Sequence, residues 1–272
     1  MEKLTGKVAV VTGGGSGIGE ALVLAFAGEG MHVVVADIEL DSAERVAEKA
    51  RGTGARALAV RTDVTDPHSV CALADAAFAE FDAAHVLCNN AGVLLMGSAI
   101  GASVGDWQWV LSVNLMGVVH GVDAFLPRMR AQSGEAHIVN TASVAALGGG
   151  GPYAASKAAV LAYSEALFKE LADEGIGVSV LCPAYINSKI VAAQRNRPEH
   201  FGPEAEEPLG RIEITTGLGP DRVARHAVEA IRNRQLYVFT LPESMRPRVE
   251  PAAEERAQKI QAAIAAGVLP DP

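Results

Sequence analysis

Tyr153 and Lys157 stand four residues apart in the run Tyr153-Ala154-Ala155-Ser156-Lys157, a spacing that puts both side chains on one face of a helix. A free tyrosine titrates near pH 10, and bringing it to about 7 takes roughly 4 kcal/mol of preferential stabilisation of the phenolate. A lysine ammonium ~4 Å away, at an effective dielectric of about 20, supplies about that much. Such a pair can take a proton from an oxygen or return one to it. Tyrosine and lysine at this spacing also occur by chance in many helices, so the neighbouring polar residues matter. Ser143 closes Asn140-Thr141-Ala142-Ser143 after one apolar run, and Asn89-Asn90-Ala91-Gly92 follows another. Both fall at C-terminal strand ends, where open α/β sheets hold ligands. Asn114 lies inside a helical run, Ser112-Val113-Asn114-Leu115, where it costs about 0.7 kcal/mol or less against alanine.

A second group stands near the start of the chain. Thr12-Gly13-Gly14-Gly15-Ser16-Gly17-Ile18-Gly19 follows an apolar run and precedes a helical one over 20–27. Glycines there let the chain turn tightly and approach a pyrophosphate, and the first N–H groups of the helix hold the anion. Gly13, Gly15, Ser16, Gly17, Ile18 and Gly19 are therefore candidate cofactor contacts. The next apolar run ends at Asp37, about 18 residues past the last of these glycines. A carboxylate in that place accepts the ribose hydroxyls of an adenosine and repels the extra phosphate of NADP; the same residue could instead cap a turn. Ile38 and Ser16 offer a phosphate no positive charge, so NAD is the expected cofactor.

These groups need a frame that brings distant residues to one edge. Apolar β-type runs at 8–11, 32–36, 57–60, 86–88, 137–139, 178–181 and 237–239 alternate with helical periods. Most are apolar on both faces, as strands are when helices cover both sides of a parallel sheet. Behind Asp66-Pro67, an N-cap followed by a first-turn proline, Val70, Leu73, Ala74, Ala77, Phe78 and Phe81 repeat as one buried helical stripe. The order predicts an α/β fold: a doubly wound, mostly parallel seven-stranded sheet of Rossmann type, with right-handed crossovers and helices on both faces. No linker divides it, so residues 1–272 read as a single domain. Residues 187–219, with their prolines and the charges at 195–197 and 204–207, read as a solvated loop or a substrate lid. Residues 240–272 read as a C-terminal tail, with a short amphipathic helix over 251–266.

A formal net charge of −9 leaves no basic face for nucleic acid and disfavours anionic membrane surfaces. No apolar run approaches the ~20 residues of a membrane span, and the opening residues lack the apolar stretch of a signal peptide. A cytoplasmic location is expected. Cys71, Cys88 and Cys182 cannot all pair within one chain, and Cys88 and Cys182, in apolar runs, read as small core residues. The histidines show no metal-ligand spacing, so no metal is expected.

Taken together over roughly residues 6–239, the glycine turn, Asn89-Asn90-Ala91-Gly92, Asn114, Ser143 and Tyr153-Ala154-Ala155-Ser156-Lys157 resemble the short-chain dehydrogenase/reductase family. The resemblance implies an NAD-dependent alcohol dehydrogenase or ketone reductase that moves a hydride between a secondary alcohol or ketone and the nicotinamide. Tyr153 would then be the proton donor and acceptor. Lys157 would lower its pKa and hold the nicotinamide ribose, and Ser143 would orient the substrate oxygen. Asn114 would hold a water linking Lys157 to solvent. Asp63 and Val64 would touch the adenine, Asn90 the adenosine side, and Ile186 and Ser188 the carboxamide. Copies would pair as dimers or tetramers through the helices of Tyr153 and Asn114, where Ala158, Ala159 and Ala162 permit close contact.

Three departures from the family pattern stand out. The stretch from Ser143 to Tyr153 is short, which leaves Thr141 as an alternative to Ser143. Pro183-Ala184 replaces the usual Pro-Gly, and Ser188 stands where Thr is usual. Cys182-Pro183-Ala184-Tyr185-Ile186-Asn187-Ser188-Lys189-Ile190, with Arg197-Pro198 and Phe201-Gly202 beyond, is similar to the branch that oxidises benzylic alcohols of aryl ethers. That likeness implies a bulky, apolar or partly aromatic substrate. Leu94, Leu95, Leu147 and Tyr185 would line its pocket, or else belong to the core. Two other readings stay open: an NADPH-linked ketoacyl reductase, which calls for a basic docking patch, and a non-catalytic cofactor-sensing protein, which need not keep Tyr153 beside Lys157.

Overall fold

All seven apolar runs become strands, each within a residue or two of its expected span except β6, which is longer. The computed structural model describes residues 1–95, 98–132, 134–202 and 217–267. The strands are β1 (Val8–Thr12), β2 (His32–Asp37), β3 (Ala57–Arg61), β4 (Val86–Asn89), β5 (Ala136–Thr141), β6 (Ile176–Pro183) and β7 (Tyr237–Thr240). They form one sheet in the order β3-β2-β1-β4-β5-β6-β7, and every neighbouring pair is parallel. The chain winds outward in one direction from β1 to β3, then starts again at β4 and winds the other way. That reversal opens a crevice at the C-terminal ends of β1 and β4.

Helices cover both faces. They are α1 (Gly17–Gly28), α2 (Leu40–Arg51), α3 (Pro67–Phe81), α4 (Val104–Leu111), α5 (Gly117–Ala131), α6 (Ala145–Gly148), α7 (Gly151–Glu170), α8 (Pro220–Asn233) and α9 (Arg246–Gly267). Alternate strand residues serve opposite layers, as the two-residue period of a strand requires. Ala9, Val11, Val33 and Val35 pack with Leu22 and Phe26 of α1, Val46 of α2 and Ile231 of α8. Val8, Val10, Val34 and Ala36 pack on the other side with Leu73 of α3, Phe125 of α5 and Leu167 of α7. Cys88 and Cys182 are buried in the core, where the loss of hydration pushes the Cys182 thiol up to about 12.

Two expectations need correction. The continuous helical run from Val104 to Ala131 is 28 residues long, with a mean hydropathy of 1.5 over its most apolar 18 residues, so by length and composition it could cross a membrane. The scattered polar residues of this run hid it from a search for unbroken apolar stretches. Here Trp109, Val110, Val118, Val122, Phe125 and Met129 are buried against the rest of the fold. The last helix also begins at Arg246, ahead of Pro251. A proline removes only its own N–H and crowds the carbonyl four residues back, and so did not mark the start. The 187–219 segment is described over 187–202 and 217–219; the acidic run at 204–207 lies outside the described residues.

Candidate active site

The glycine turn between β1 and α1 is shaped by steric necessity. Gly13 and Gly17 hold φ of +63° and +55°, a region costly for residues with a side chain. A Cβ on Gly19 would fall 2.0 Å from the carbonyl oxygen of Gly13, so only glycine lets α1 start this close to β1. Ser16 is the N-cap of α1, yet its side chain makes no capping bond. The first N–H groups of the helix therefore face the cleft without a side-chain partner, a ready anion site. Asn90 stitches the turn in place: its Nδ2 donates to the Thr12 carbonyl at 3.1 Å, and its Oδ1 accepts from the Thr141 hydroxyl at 3.3 Å.

Asp37 ends β2 beside this turn. One carboxylate oxygen accepts from the Gly15 N–H at 2.9 Å and the other from the Glu39 N–H at 3.0 Å. Each oxygen thus caps a turn, and each keeps a lone pair that a ligand could use. Asp63 folds onto Thr65, accepting from its N–H at 2.9 Å and its hydroxyl at 2.7 Å. Val64 is buried, with its carbonyl turned to His120. Both still line the cleft with Asp37.

Sequence reasoning overlooked two arginines here. Arg45 reaches the Gly15 carbonyl at 2.6 Å and pairs with Glu20 at 2.9 Å; hydrogen bonding from Arg45 is the main cause that holds Glu20 down to about 2. Arg195 pairs with Glu39 at 2.7 Å, and Asn196 bonds the same oxygen at 3.3 Å. Both of these arginines are matched to a carboxylate. Nothing in the local sequence marks either arginine, since their partners lie 25 and 156 positions away.

At the other end, α7 presents Tyr153 and Lys157 toward the strand ends. Gly151 enters this helix at φ +71°. A Cβ on Gly149 would lie 2.8 Å from both the Ala145 carbonyl oxygen and the Ala154 Cβ. These glycines let the short 143–153 stretch turn back tightly, so Ser143 and Tyr153 line the same cleft, with the Ser143 hydroxyl donating to the Pro183 carbonyl at 3.4 Å. Thr141 instead gives its hydroxyl to Asn90, which leaves Ser143 as the residue beside the phenol.

Lys157 is 2% exposed. Its Nζ donates to the Thr141 carbonyl at 2.7 Å and lies 5.8 Å from the centre of the Tyr153 ring. Burial lowers the lysine to about 8. The phenol of Tyr153 is pushed up by burial, against a smaller lowering by the Ser143 hydroxyl. Desolvation is thus the largest cause for both groups, upward for Tyr153 and downward for Lys157.

Asn114 sits in a π turn, Ser112–Met116, between α4 and α5. Its side chain is fully engaged: Oδ1 accepts from the Val93 N–H at 2.8 Å, and Nδ2 donates to the Val93 carbonyl and the Ser156 hydroxyl at 3.0 Å each. Gly92 lies between, where a Cβ would stand 3.3 Å from Asn114 Oδ1 and 3.5 Å from Lys157 Nζ. Both amide donors are spent, so a water held by this residue would donate to its main-chain carbonyl or to the second lone pair of Oδ1.

Ile186 is buried and bridges to Leu218, which ties the two ends of the 187–219 segment together. Ser188 packs against Gly17. Further along, the guanidinium of Arg197 pairs with buried Asp106 at 2.6 Å, bonds the carbonyls of Phe201 and Gly202, and lies 5.2 Å from the Trp109 ring centre. Burial pushes Asp106 up, but Arg197 and Ser103 outweigh it and the carboxyl ends below its usual range. Glycine turn, Asp37, Ser143, Tyr153, Lys157 and Ser188 share one cleft of about 450 Å3. Leu94, Leu147 and Tyr185 line it, whereas Leu95 packs against the core around Trp109. Met245, Arg248, Val249 and Ala252 also line it, so the stretch read as a tail is a wall of the site.

The profile of the short chain dehydrogenase family matches residues 7–199. A short chain dehydrogenase/reductase of Burkholderia phymatum, solved in complex with NAD, is 40% identical with a TM-score of 0.88, covering 100% of this chain and 99% of its own. The C alpha-dehydrogenase of Sphingobium sp. strain SYK-6 is 34% identical over 253 residues, 89% of this chain and 83% of its own length. A cyclohexanol dehydrogenase of Acinetobacter sp. strain SE19 is 37% identical over 194 residues, 70% of this chain and 77% of its own length.

Proposed function

The chain belongs to the short-chain dehydrogenase/reductase family, and from that premise we propose that it oxidises a secondary alcohol to a ketone, or the reverse, with NAD and with Tyr153 as the acid/base. The observation that carries this reading is the convergence of Ser143, Tyr153 and buried Lys157 on one cleft, which Asp37 bounds at its other end. NAD, when bound, would supply the hydride acceptor and a positive charge. The uncapped N–H groups of α1 suit its pyrophosphate, and Asp37 suits the adenosine ribose. The extra phosphate of NADP would meet the Asp37 carboxylate, with Arg45 and Arg195 already committed to Glu20 and Glu39.

The chain's own part follows from the geometry. Ser143 and Tyr153 hold the substrate oxygen between two hydroxyls. In oxidation the Tyr153 phenolate takes the hydroxyl proton as the hydride leaves carbon; in reduction the phenol returns it. Lys157, fixed by the Thr141 carbonyl, stabilises the phenolate. Asn114 fixes the Gly92-Val93 loop against which Lys157 lies. The 187–219 segment serves as the substrate lid, in one domain with the rest. The C alpha-dehydrogenase and cyclohexanol dehydrogenase relatives support secondary alcohols on bulky or alicyclic bodies.

Titration with NADH and separately with NADPH, followed by nicotinamide fluorescence, tests the cofactor. At least tenfold tighter NADH binding is expected. A preference for NADPH would overturn the Asp37 argument and favour a ketoacyl reductase. Absence of binding by either would remove the oxidoreductase reading.

A further inference from the structure

The cleft is not evenly charged. Its only carboxylates among the described residues, Asp37 and Asp63, stand at the ends of β2 and β3. Tyr153 and Ser143 stand past β5, three strands from β2, about 14 Å away at ordinary strand spacing. Around that reacting end the wall is apolar, with Leu94, Trp109, Leu147, Met245 and Val249. One charge interrupts it beyond the Tyr153–Lys157 pair and its flanking lid: Arg248.

The place of Arg248 is set by α9. Met245, Arg248, Val249 and Ala252 follow three-and-four spacing and form the single stripe that faces the cleft. This face is seated on α6: Ala252 approaches Gly148, and Arg256 caps the Ala146 carbonyl at 3.0 Å. The helix turns its ion pairs elsewhere. Arg246 takes Glu250 and Glu243, and Lys259 takes Glu255. The residues three and four positions from Arg248 are Ser244, Met245, Pro251 and Ala252, none acidic. Among the described residues Arg248 has no ion-pair or hydrogen-bond partner. Of the other two cations on the rim, Arg195 is matched to Glu39, and Lys189, also without an ion pair among the described residues, stands at the glycine-turn end, next to Ser188, which packs on Gly17.

We propose that the substrate is an amphiphile, a secondary alcohol or ketone on an apolar body with a carboxylate remote from the reacting carbon, and that Arg248 receives this carboxylate. The inference rests on the reaction proposed above and adds the class of its substrate. A guanidinium offers two parallel N–H donors that match a carboxylate, and its methylenes lie along an apolar wall without cost. A neutral hydrocarbon pocket has no use for such a group on its inner stripe, because an unpaired cation there keeps water in the mouth of the cleft.

The test is a series of secondary hydroxycarboxylates of increasing chain length, each assayed with NAD beside its methyl ester. One length of acid is expected to exceed its ester in kcat/KM. Arg248→Gln should raise KM for that acid about tenfold or more, with kcat and the ester's KM near wild type and NADH affinity unchanged. Arg248→Lys should recover part of the loss. Arg248 is exposed, and equal melting temperatures would show that the variants fold. Esters turned over as well as or better than every acid would overturn the inference alone, as would equal losses for acid and ester in Arg248→Gln. Failure to turn over any alcohol while NADH binds would remove the proposed reaction and this inference with it.

Discussion

Among single side chains the sharpest expectation concerns Tyr153. Tyr153→Phe keeps the ring packing and loses the proton relay, so turnover should fall by about 100-fold or more while NADH binding stays within twofold by fluorescence titration. Retention of more than a few per cent of activity would take the role from this residue. Burial holds the phenol above its ordinary value, so the deprotonated form needed for oxidation keeps growing as pH rises into the alkaline range. The rate of alcohol oxidation should therefore climb from neutral to alkaline pH, and a flat profile with chemistry rate-limiting would discard a titrating Tyr153. The positions of Tyr153, Lys157, Ser143 and Asp37 were legible because their residue types and spacing name a chemistry. Their bonds were not. That Lys157 spends a donor on Thr141, and that Asn114 commits its whole amide to Val93 and Ser156, depends on partners 16 to 42 positions away.

Helices and strands fared according to the kind of signal they carry. Buried parallel strands announce themselves as short apolar runs, so the sheet could be read almost to the residue. The π turn at Ser112–Met116 has no such mark, for asparagine inside a helix is only mildly unfavourable and gives no hint of backbone widening. α9 carries a weaker signal, because its cleft-facing stripe mixes Val249 and Ala252 with an arginine, a pattern that reads as surface. The start of the lid offers a test at this scale. Arg197 and Asp106 are 5% and 0% exposed, so Arg197→Met leaves a buried carboxylate uncompensated at a cost of roughly 3 kcal/mol. The expected outcome is faster proteolytic cleavage within 189–202 and a raised KM, with cofactor affinity kept. Pairing it with Asp106→Leu should restore much of the protection. An Arg197→Met protein as resistant as wild type would show that the pair does not hold the lid.

For the molecule as a whole, stability should depend on acid through His137. It lies on β5, 1% exposed, with Nε2 2.8 Å from the Ser179 hydroxyl of β6. Burial, with smaller repulsion from the amino terminus and Arg234, lowers it to about 3. The unfolded chain protonates this histidine near pH 6.5, so its contribution is complete above that value and drains away as pH falls toward 3. At pH 5 the loss is about 2 kcal/mol, visible as a lower Tm than at pH 7. His137→Gln should flatten that part of the profile, and an unchanged slope would clear this residue. The all-parallel sheet has a consequence for how the molecule comes into being. No two neighbouring strands are joined by a tight turn: Val8 meets His32, and Ala9 meets Val86. Each rung must wait for a long intervening segment to close, which makes the search slow and leaves raw sheet edges open meanwhile. The central β1 stays without its second neighbour until β4 arrives, so crowding and warmth during synthesis should threaten the yield of this chain more than the endurance of the finished molecule.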